Sequence, residues 1–193
     1  MASMEPEIKT ADLFAAPPST WWARWVCRVI GARTFHWGMF ITRDDRGWVI
    51  TESTGKGVAL TRFTYPRAYI YRLKDTGDVS VEKLIGIVAD YGNYPYDWDV
   101  AFETAIWWLL KHYLGKLIPR WYDKEVNCQE WVVQIADELG IKLIPDDQYP
   151  MSVNLEDSPF LQLVGEMEQR RNTGGLQKKE APGGKKTPDT NSD

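Results

Sequence analysis

The sequence predicts an α+β domain in which a small antiparallel sheet packs against a few helices. Segments with the two-residue alternation of a strand lie beside segments with the apolar spacing of a helix. Their order lacks the regular strand–helix alternation that builds a parallel sheet. A length of 193 residues suits one such domain with its own core and is too short for two.

Composition divides the chain into three parts. Residues 1–8 are predicted to be flexible, residues 9–170 to form the single domain, and residues 171–193 to form a disordered tail. The tail holds one large apolar residue, Leu176, among Gly, Pro, Lys and Thr. Such a segment cannot bury enough apolar surface to offset the conformational entropy that ordering would cost.

The first predicted elements are a short strand, Ala11–Ala15, and a helix, Thr20–Ile30. Ser19 or Thr20 caps the helix, and Gly31 ends it. Apolar side chains recur on one face of this helix, which we expect to pack on the core. They are Trp22, Trp25, Val26 and Val29.

A hairpin follows, with strands at Thr34–Ile41 and Trp48–Ser53 joined by the polar turn RDDRG. Alternation along the first strand sends Phe35, Trp37, Met39 and Ile41 to one face, and His36, Gly38 and Phe40 to the other. The later elements are a strand at Tyr69–Leu73, a segment at Val79–Val88 that fits either type, a long helix at Val100–Leu117 and a helix at Cys128–Leu139. Pro119 and Gly140 end these two helices.

The helix at Cys128 begins with capping-box spacing, because Asn127 is a good N-cap and Glu130 stands three residues later. Cys128 therefore occupies the first turn, on the face turned toward the protein body. A helix N-terminus favours a thiolate, the nucleophilic form, and its N–H groups can stabilise an oxyanion. The alternative is a small buried apolar residue. Cys27 lies in mid-helix without these features and is predicted to be inert.

His36 is the candidate general base for Cys128. Gly38, two residues along the same face, leaves room for another element to approach closely. The alternative for His36 is a half-buried strand histidine bonded to a backbone carbonyl. His112 falls in the long predicted helix and has no comparable setting.

A third group usually orients such an imidazole, and the second hairpin strand offers Thr51, Glu52 and Ser53. An odd-length loop, with Gly47 at positive φ or a bulge, sets Glu52 opposite Gly38 and diagonal to His36. An even loop puts Thr51 or Ser53 on that face instead. We choose Glu52, because a carboxylate both fixes the tautomer and stabilises imidazolium.

Charge and composition exclude several classes of protein. A net charge of −4 without a basic face argues against nucleic-acid binding. The two cysteines and two histidines lack zinc spacing, and no cofactor is predicted. The start, MASMEPEIKT, has no apolar segment typical of a secretion signal, so the cytoplasm is the default location and association with a virion the alternative.

Two motifs resemble the circularly permuted NlpC-like branch of the papain-like cysteine hydrolases, which also contains the relatives of lecithin retinol acyltransferase. FHWGMFI is similar to its His-Val-Gly-Ile strand, NCQEWVVQIADELGI is similar to its Asn-Cys-Ser-Glu helix, and the strand precedes the helix as in that branch. Softer matches bring the resemblance to about residues 11–163. They are ADLFA, with Ala11 in place of a Gly, YPYDW, and SPF at Ser158. Trp37 and Gln129 replace small residues of the family.

The resemblance implies a permuted papain-like fold and a cysteine peptidase, amidase or acyltransferase. Cys128 would be the nucleophile, His36 the base and Glu52 its orienting group, with no cofactor. The implied substrates are peptides, peptidoglycan or lipid-type acyl compounds. The alternative is a catalytically inactive scaffold, structural or virion-associated, that binds protein partners through a Trp-rich surface.

One segment, STWWARWVCRVIGAR, combines Trp with Arg24, Arg28 and Arg33. This pattern is also found in helices that lie at an anionic membrane surface. We expect instead a core helix with solvated arginines.

Overall fold

The computed structural model describes residues 6–74, 77–92, 127–145 and 148–168. The predicted helix Val100–Leu117, with His112, lies outside the described residues. Residues 1–5 and the predicted tail, residues 171–193, also lie outside them.

The described residues form an antiparallel sheet and a few helices, which confirms the α+β class. The strands are β1 (Leu13–Ala16), β2 (His36–Asp44), β3 (Gly47–Thr54), β4 (Gly57–Arg62), β5 (Arg67–Leu73) and β6 (Leu161–Glu168). The helices are α1 (Trp21–Ile30), α2 (Val81–Tyr91), α3 (Cys128–Glu138) and α4 (Ser152–Glu156). The sheet order is β4-β3-β2-β1-β5-β6, and each neighbouring pair is antiparallel.

The two faces of the sheet bury different cores. Trp37, Met39 and Ile41 pack with apolar residues of α2 and α3 on one face. Phe14 and Phe40 belong to an aromatic cluster on the other. The predicted alternation along β2 is therefore confirmed, and it fixes which face His36 shares.

The segment Val79–Val88, which fitted either element, lies mainly in helix α2, which starts after the N-cap Ser80. Strands β4 and β6 and helix α4 were not predicted. In β6 the apolar Leu163 is 47% exposed, so this edge strand lacks the alternation by which strands are recognised in a sequence.

The prediction that the tryptophans of α1 pack on the core is wrong. The helix begins after the N-cap Thr20 and ends at Gly31, as predicted, but it is anchored through Ala23 and Cys27, which are buried. Its Trp side chains point outward, with Trp21 83%, Trp22 38% and Trp25 59% exposed. The small residues Ala23 and Cys27 let the helix backbone lie close to the rest of the domain, and the tryptophans lie on the opposite, exposed face.

The turn between β2 and β3 differs in detail from the prediction. Asp44 pairs with Gly47, which leaves an even, two-residue loop, and Gly47 has φ 113°. A β-bulge between Phe40 and Thr42 then shifts the register by one residue. Glu52 pairs with Gly38 because of this bulge, so the predicted position is right although the loop is not odd.

Gly38 makes room for a ring from the neighbouring strand. A Cβ at this position would meet the Phe14 ring at 2.5 Å and the Thr51 carbonyl oxygen at 2.6 Å. Since the second contact is with backbone, the strands themselves would have to separate. The close approach that the sequence predicted on this face of β2 is thus made by Phe14.

We expect Gly38→Ala to lower the free energy of unfolding by about 1–3 kcal/mol, the usual cost of overpacking. Urea unfolding measures it. Gly86→Ala is the matched control: it lies in α2 with open space around its Cα, and Ala there should stabilise by up to about 1 kcal/mol. A loss in Gly38→Ala no larger than the change in the control would contradict the packing.

Candidate functional site

Helix α3 begins at Cys128, as predicted. Asn127 is its N-cap and accepts hydrogen bonds from the N–H groups of Gln129 and Glu130, both 2.9 Å. The Glu130 carboxylate accepts from the Asn127 N–H at 3.2 Å, which completes the capping box. Tyr149 donates to the same carboxylate at 3.1 Å. The first turn of α3 is therefore held rigidly, and with it the position of the thiol.

The Cys128 thiol is buried between α3 and the start of β2. Its Sγ lies 3.1 Å from Gln129 Oε1 and 3.8 Å from the carbonyl oxygen of Phe35, the residue before His36. The thiol also lies close enough to the His36 ring for Cys128 to raise the pKa of that imidazole. The structure thus brings together the predicted nucleophile and the predicted base from segments that are far apart in sequence.

Cys27 has a contrasting setting. It lies in mid-helix, is buried, and donates a hydrogen bond to the Thr34 carbonyl at 3.3 Å. Burial and the nearby charge of Glu156 raise the pKa of the Cys27 thiol to about 11. A thiol with this pKa is protonated at neutral pH, and a protonated thiol is a poor nucleophile.

Glu52 lies on the far side of the His36 ring. His36 Nε2 is 2.8 Å from Glu52 Oε2, and the ring is about one-fifth exposed. Thr51 points to the opposite face of the sheet, where its Oγ1 accepts a hydrogen bond from the Trp131 indole at 3.0 Å. The structure therefore selects Glu52 over Thr51 as the partner of His36.

Two residues that sequence reasoning missed complete the surroundings of Glu52. Thr61 donates to Oε1 at 2.6 Å, and Tyr65 donates to Oε2 at 2.5 Å. The Tyr65 ring also stacks on His36, with centroids 5.4 Å apart and planes at 24°. Thr61 lies on β4, which was not predicted, and Tyr65 follows it, so no sequence signal connected either residue to the site.

These donors determine the charge and tautomer of the pair. Burial opposes ionisation of Glu52, but hydrogen bonds from His36, Thr61 and Tyr65 lower the pKa of this carboxyl below its ordinary value. An ionised carboxylate can only accept, so His36 Nε2 carries a proton. The other ring nitrogen, Nδ1, is then left for the thiol. Glu52 thus fixes the tautomer in which His36 can act as a base toward Cys128.

The electrostatics favour a protonated histidine. Burial alone would lower the pKa of His36, but the charge of Cys128, the hydrogen bond to it, and the Glu52 carboxylate together raise the pKa to about 10. An imidazolium is therefore stabilised between two groups that carry or can acquire negative charge.

We expect the His36–Glu52 pair to stabilise the fold most between pH 4.5 and 6.5, the ordinary values of the two groups. The Glu52 contribution is present above 4.5 and is lost as pH falls through its lowered pKa. The His36 contribution is complete below 6.5 and is lost as pH rises toward about 10. The free energies of unfolding of wild type and His36→Ala are compared from below pH 4.5 to above pH 6.5. The difference between them should be largest between these two values. A constant difference would contradict the shifts.

The first turn of α3 also offers a backbone donor. The N–H groups of Gln129 and Glu130 are bound to the Asn127 side chain. The N–H of Cys128 has no acceptor in the described part of the chain. A donor next to the sulfur is placed where the oxyanion of an acyl-transfer intermediate would form.

Gln129 is held against the thiol by the residues around it. Its Nε2 donates to the Phe35 carbonyl at 2.9 Å and to Ser152 Oγ at 3.0 Å, which leaves Oε1 facing Cys128 Sγ. Ser152 Oγ also accepts from the Trp37 indole at 3.1 Å. The two departures from the resembled motifs, Trp37 and Gln129, therefore meet at one serine of α4.

Two findings on other classes of site concern only the described ranges. Within residues 6–74, 77–92, 127–145 and 148–168, no three His, Cys, Asp or Glu side chains are grouped so that they could hold a metal ion. In the same ranges no helix has the length and apolar character needed to cross a membrane.

Comparisons with known proteins bear on the fold. No family model matches the chain, and no curated protein matches it. Among solved structures, the chain is similar to the metalloprotein yiiX from Escherichia coli O157:H7, assigned to DUF1105. The TM-score is 0.58 at 17% sequence identity, over 83% of this chain and 98% of that one. At this identity the similarity concerns the fold alone.

Proposed function

We propose that this protein is a cysteine hydrolase or acyltransferase with a permuted papain-like fold. Cys128 is the nucleophile, His36 is its general base, and Glu52 is the group that orients the His36 ring and stabilises its protonated form. The single observation that carries the proposal is the convergence of the three groups: Cys128 Sγ lies 3.8 Å from the carbonyl of Phe35, the residue before His36, and His36 Nε2 lies 2.8 Å from Glu52 Oε2.

The chemistry uses each group in turn. His36 Nδ1 takes the thiol proton, and the Cys128 sulfur attacks the carbonyl carbon of an amide or ester. The oxyanion is held by the Cys128 N–H, and the His36 imidazolium returns the proton to the leaving amine or alcohol. A thioester remains on Cys128. Water, or an acceptor alcohol or amine, then attacks the thioester with His36 again as base, which releases the acyl product and the thiol.

Two further observations support the family assignment within this proposal. The histidine strand precedes the cysteine helix, which is the order of the permuted branch. Ala11, which stands where the family has a Gly, adopts φ 67°, a conformation that glycine adopts more readily. The resemblance implies amides or esters of peptides, peptidoglycan or lipids as the substrate classes.

The proposal is tested by alkylating the native protein with iodoacetamide and locating the adduct by mass spectrometry. Cys128 should react readily, and His36→Ala should slow its reaction by about tenfold or more, because the thiolate loses its imidazolium partner. Cys27 is the internal control and should remain unmodified until the protein is unfolded. Slow modification of Cys128 that does not change in His36→Ala would contradict the proposal.

One observation favours the inactive scaffold as the second candidate. The Cys128 side chain is buried and is covered by the Gln129 amide where the family has a small residue. If Gln129 blocks the sulfur, Gln129→Ser should increase the alkylation rate of Cys128 in an otherwise unchanged fold. An inert Cys128 in both the wild type and Gln129→Ser assigns the protein to the scaffold class.

A further inference from the structure

Helix α1 presents an outward aromatic surface that no part of the proposed chemistry uses. Trp21, Trp22 and Trp25, here called the tryptophan patch, are 83%, 38% and 59% exposed. Soluble domains seldom leave several large aromatic residues together in water, and such patches usually mark an interaction site. Indole rings combine a large apolar area with a polar N–H, which suits the boundary between lipid chains and headgroups.

The arginines of α1 lie beside this patch. At about 100° per residue, the patch spans about 100° of the helix surface, and Arg28 and Arg24 fall within about 60° of its edge. Both arginines are exposed, and α1 contains no acidic residue. Arg33, just beyond the helix, is instead paired with Glu156 at 3.3 Å. The surface therefore combines indole rings with two cations that are not neutralised by α1 itself.

The net charge of −4 does not oppose a local attraction to anions. At physiological ionic strength charges are screened over about 8 Å, so acidic residues elsewhere on the protein contribute little at this surface. Each arginine near an anionic bilayer increases the binding constant about fivefold. Two arginines with three indoles thus match an anionic lipid surface in both charge and polarity.

The helix is held firmly in this orientation. Thr20 Oγ1 caps its start, and the left-handed Gly31 ends it. Its opposite face is anchored by buried Ala23 and by Cys27, which bonds to the Thr34 carbonyl. Trp22 packs edge-to-face on Phe35 at 5.3 Å, and Phe35 directly precedes His36. A surface that docked on α1 would therefore lie beside the candidate site.

We infer that α1 is a docking helix for anionic membrane surfaces, with the tryptophan patch inserted at the headgroup level and Arg24 and Arg28 against anionic lipids. This inference does not depend on the proposed chemistry. An inactive scaffold would dock in the same way.

The full-length protein is tested by flotation with vesicles of phosphatidylglycerol and phosphatidylcholine, and with vesicles of phosphatidylcholine alone. It should float with the anionic vesicles, and high salt should weaken the binding. Trp21→Ser with Trp25→Ser should reduce binding about tenfold or more, since binding scales with inserted apolar area. Arg24→Gln with Arg28→Gln should reduce it about 25-fold. Leu163→Ala, an exposed apolar residue on β6, is the matched control and should bind like wild type.

Thermal melts establish that the variants remain folded, which is expected because the replaced side chains are exposed. Hydrogen exchange should slow in residues 21–30 when anionic vesicles are added. Three results would overturn the inference. The first is that the wild type does not bind the vesicles. The second is that the α1 variants bind like wild type, as expected if the lysine-rich segment after residue 171 binds instead. The third is a dimer in solution that depends on the tryptophan patch, without vesicle binding.

Discussion

Replacing Glu52 by Gln should slow the His36-dependent hydrolysis of an ester at Cys128 by about 10²–10⁴-fold, the range for loss of a correctly held general base. The carboxylate accepts from His36 Nε2 and so keeps Nδ1 free for the thiol. An amide can present its NH₂ group to the ring instead, and this favours the tautomer in which Nδ1 carries the proton. The imidazolium also loses its adjacent negative charge, so the pKa of His36 should fall.

Ester hydrolysis rates, measured against pH, check this expectation. Thr61→Val is the matched control, because it removes a hydrogen bond to the other carboxylate oxygen and leaves the contact with His36. It should change the rates far less than Glu52→Gln. If Glu52→Gln reacted within a few-fold of wild type over the whole pH range, Glu52 would have no role in orienting His36.

Replacing Trp37 by Ala should lower the free energy of unfolding by about 3–5 kcal/mol, the usual cost of truncating a buried tryptophan. The Trp37 ring is completely buried, lies 5.1 Å from the Tyr71 ring, and donates to Ser152. Its removal leaves a cavity beneath the sheet and frees Ser152, which also holds Gln129. The effect should therefore reach the environment of Cys128.

The matched control for Trp37→Ala is Trp25→Ala, the same change at a side chain that is 59% exposed. Its effect on the free energy of unfolding should be about 0.5 kcal/mol or less. Urea unfolding with unchanged m-values gives both numbers. Similar losses in the two variants would show that Trp37 is not the core residue described here.

Much of the candidate site could be predicted because its residues follow local rules. Asn127 and Glu130 form a capping box whose spacing is visible in the sequence, so the first-turn position of Cys128 follows from helix chemistry. The face of His36 follows from strand alternation. Both predictions could be made because periodicity and capping depend only on a few neighbouring residues.

Other features depend on contacts that no local pattern encodes. The register that places Glu52 comes from a bulge between Phe40 and Thr42, and the bulge has no clear sequence signature. Thr61 and Tyr65 reach Glu52 from chain segments that joined the site only through the fold of the sheet.

The face of α1 was misjudged for a related reason. Apolar spacing in a helix shows which residues share a face, but it does not show whether that face meets the core or an external partner. Here the smaller residues Ala23 and Cys27 face the core. The indole rings are left outside, where they support the proposed role in membrane docking.

The central claim, that Cys128 forms an acyl-enzyme with His36 as its base, is tested most directly by trapping that intermediate. The native protein is mixed with p-nitrophenyl acetate, quenched in acid and analysed by peptide mass spectrometry. We expect an acetyl group on Cys128 in wild type, a strongly reduced amount in His36→Ala, and none on Cys27. An absence of acetyl-Cys128 in wild type, or equal labelling of Cys128 in His36→Ala, would contradict it.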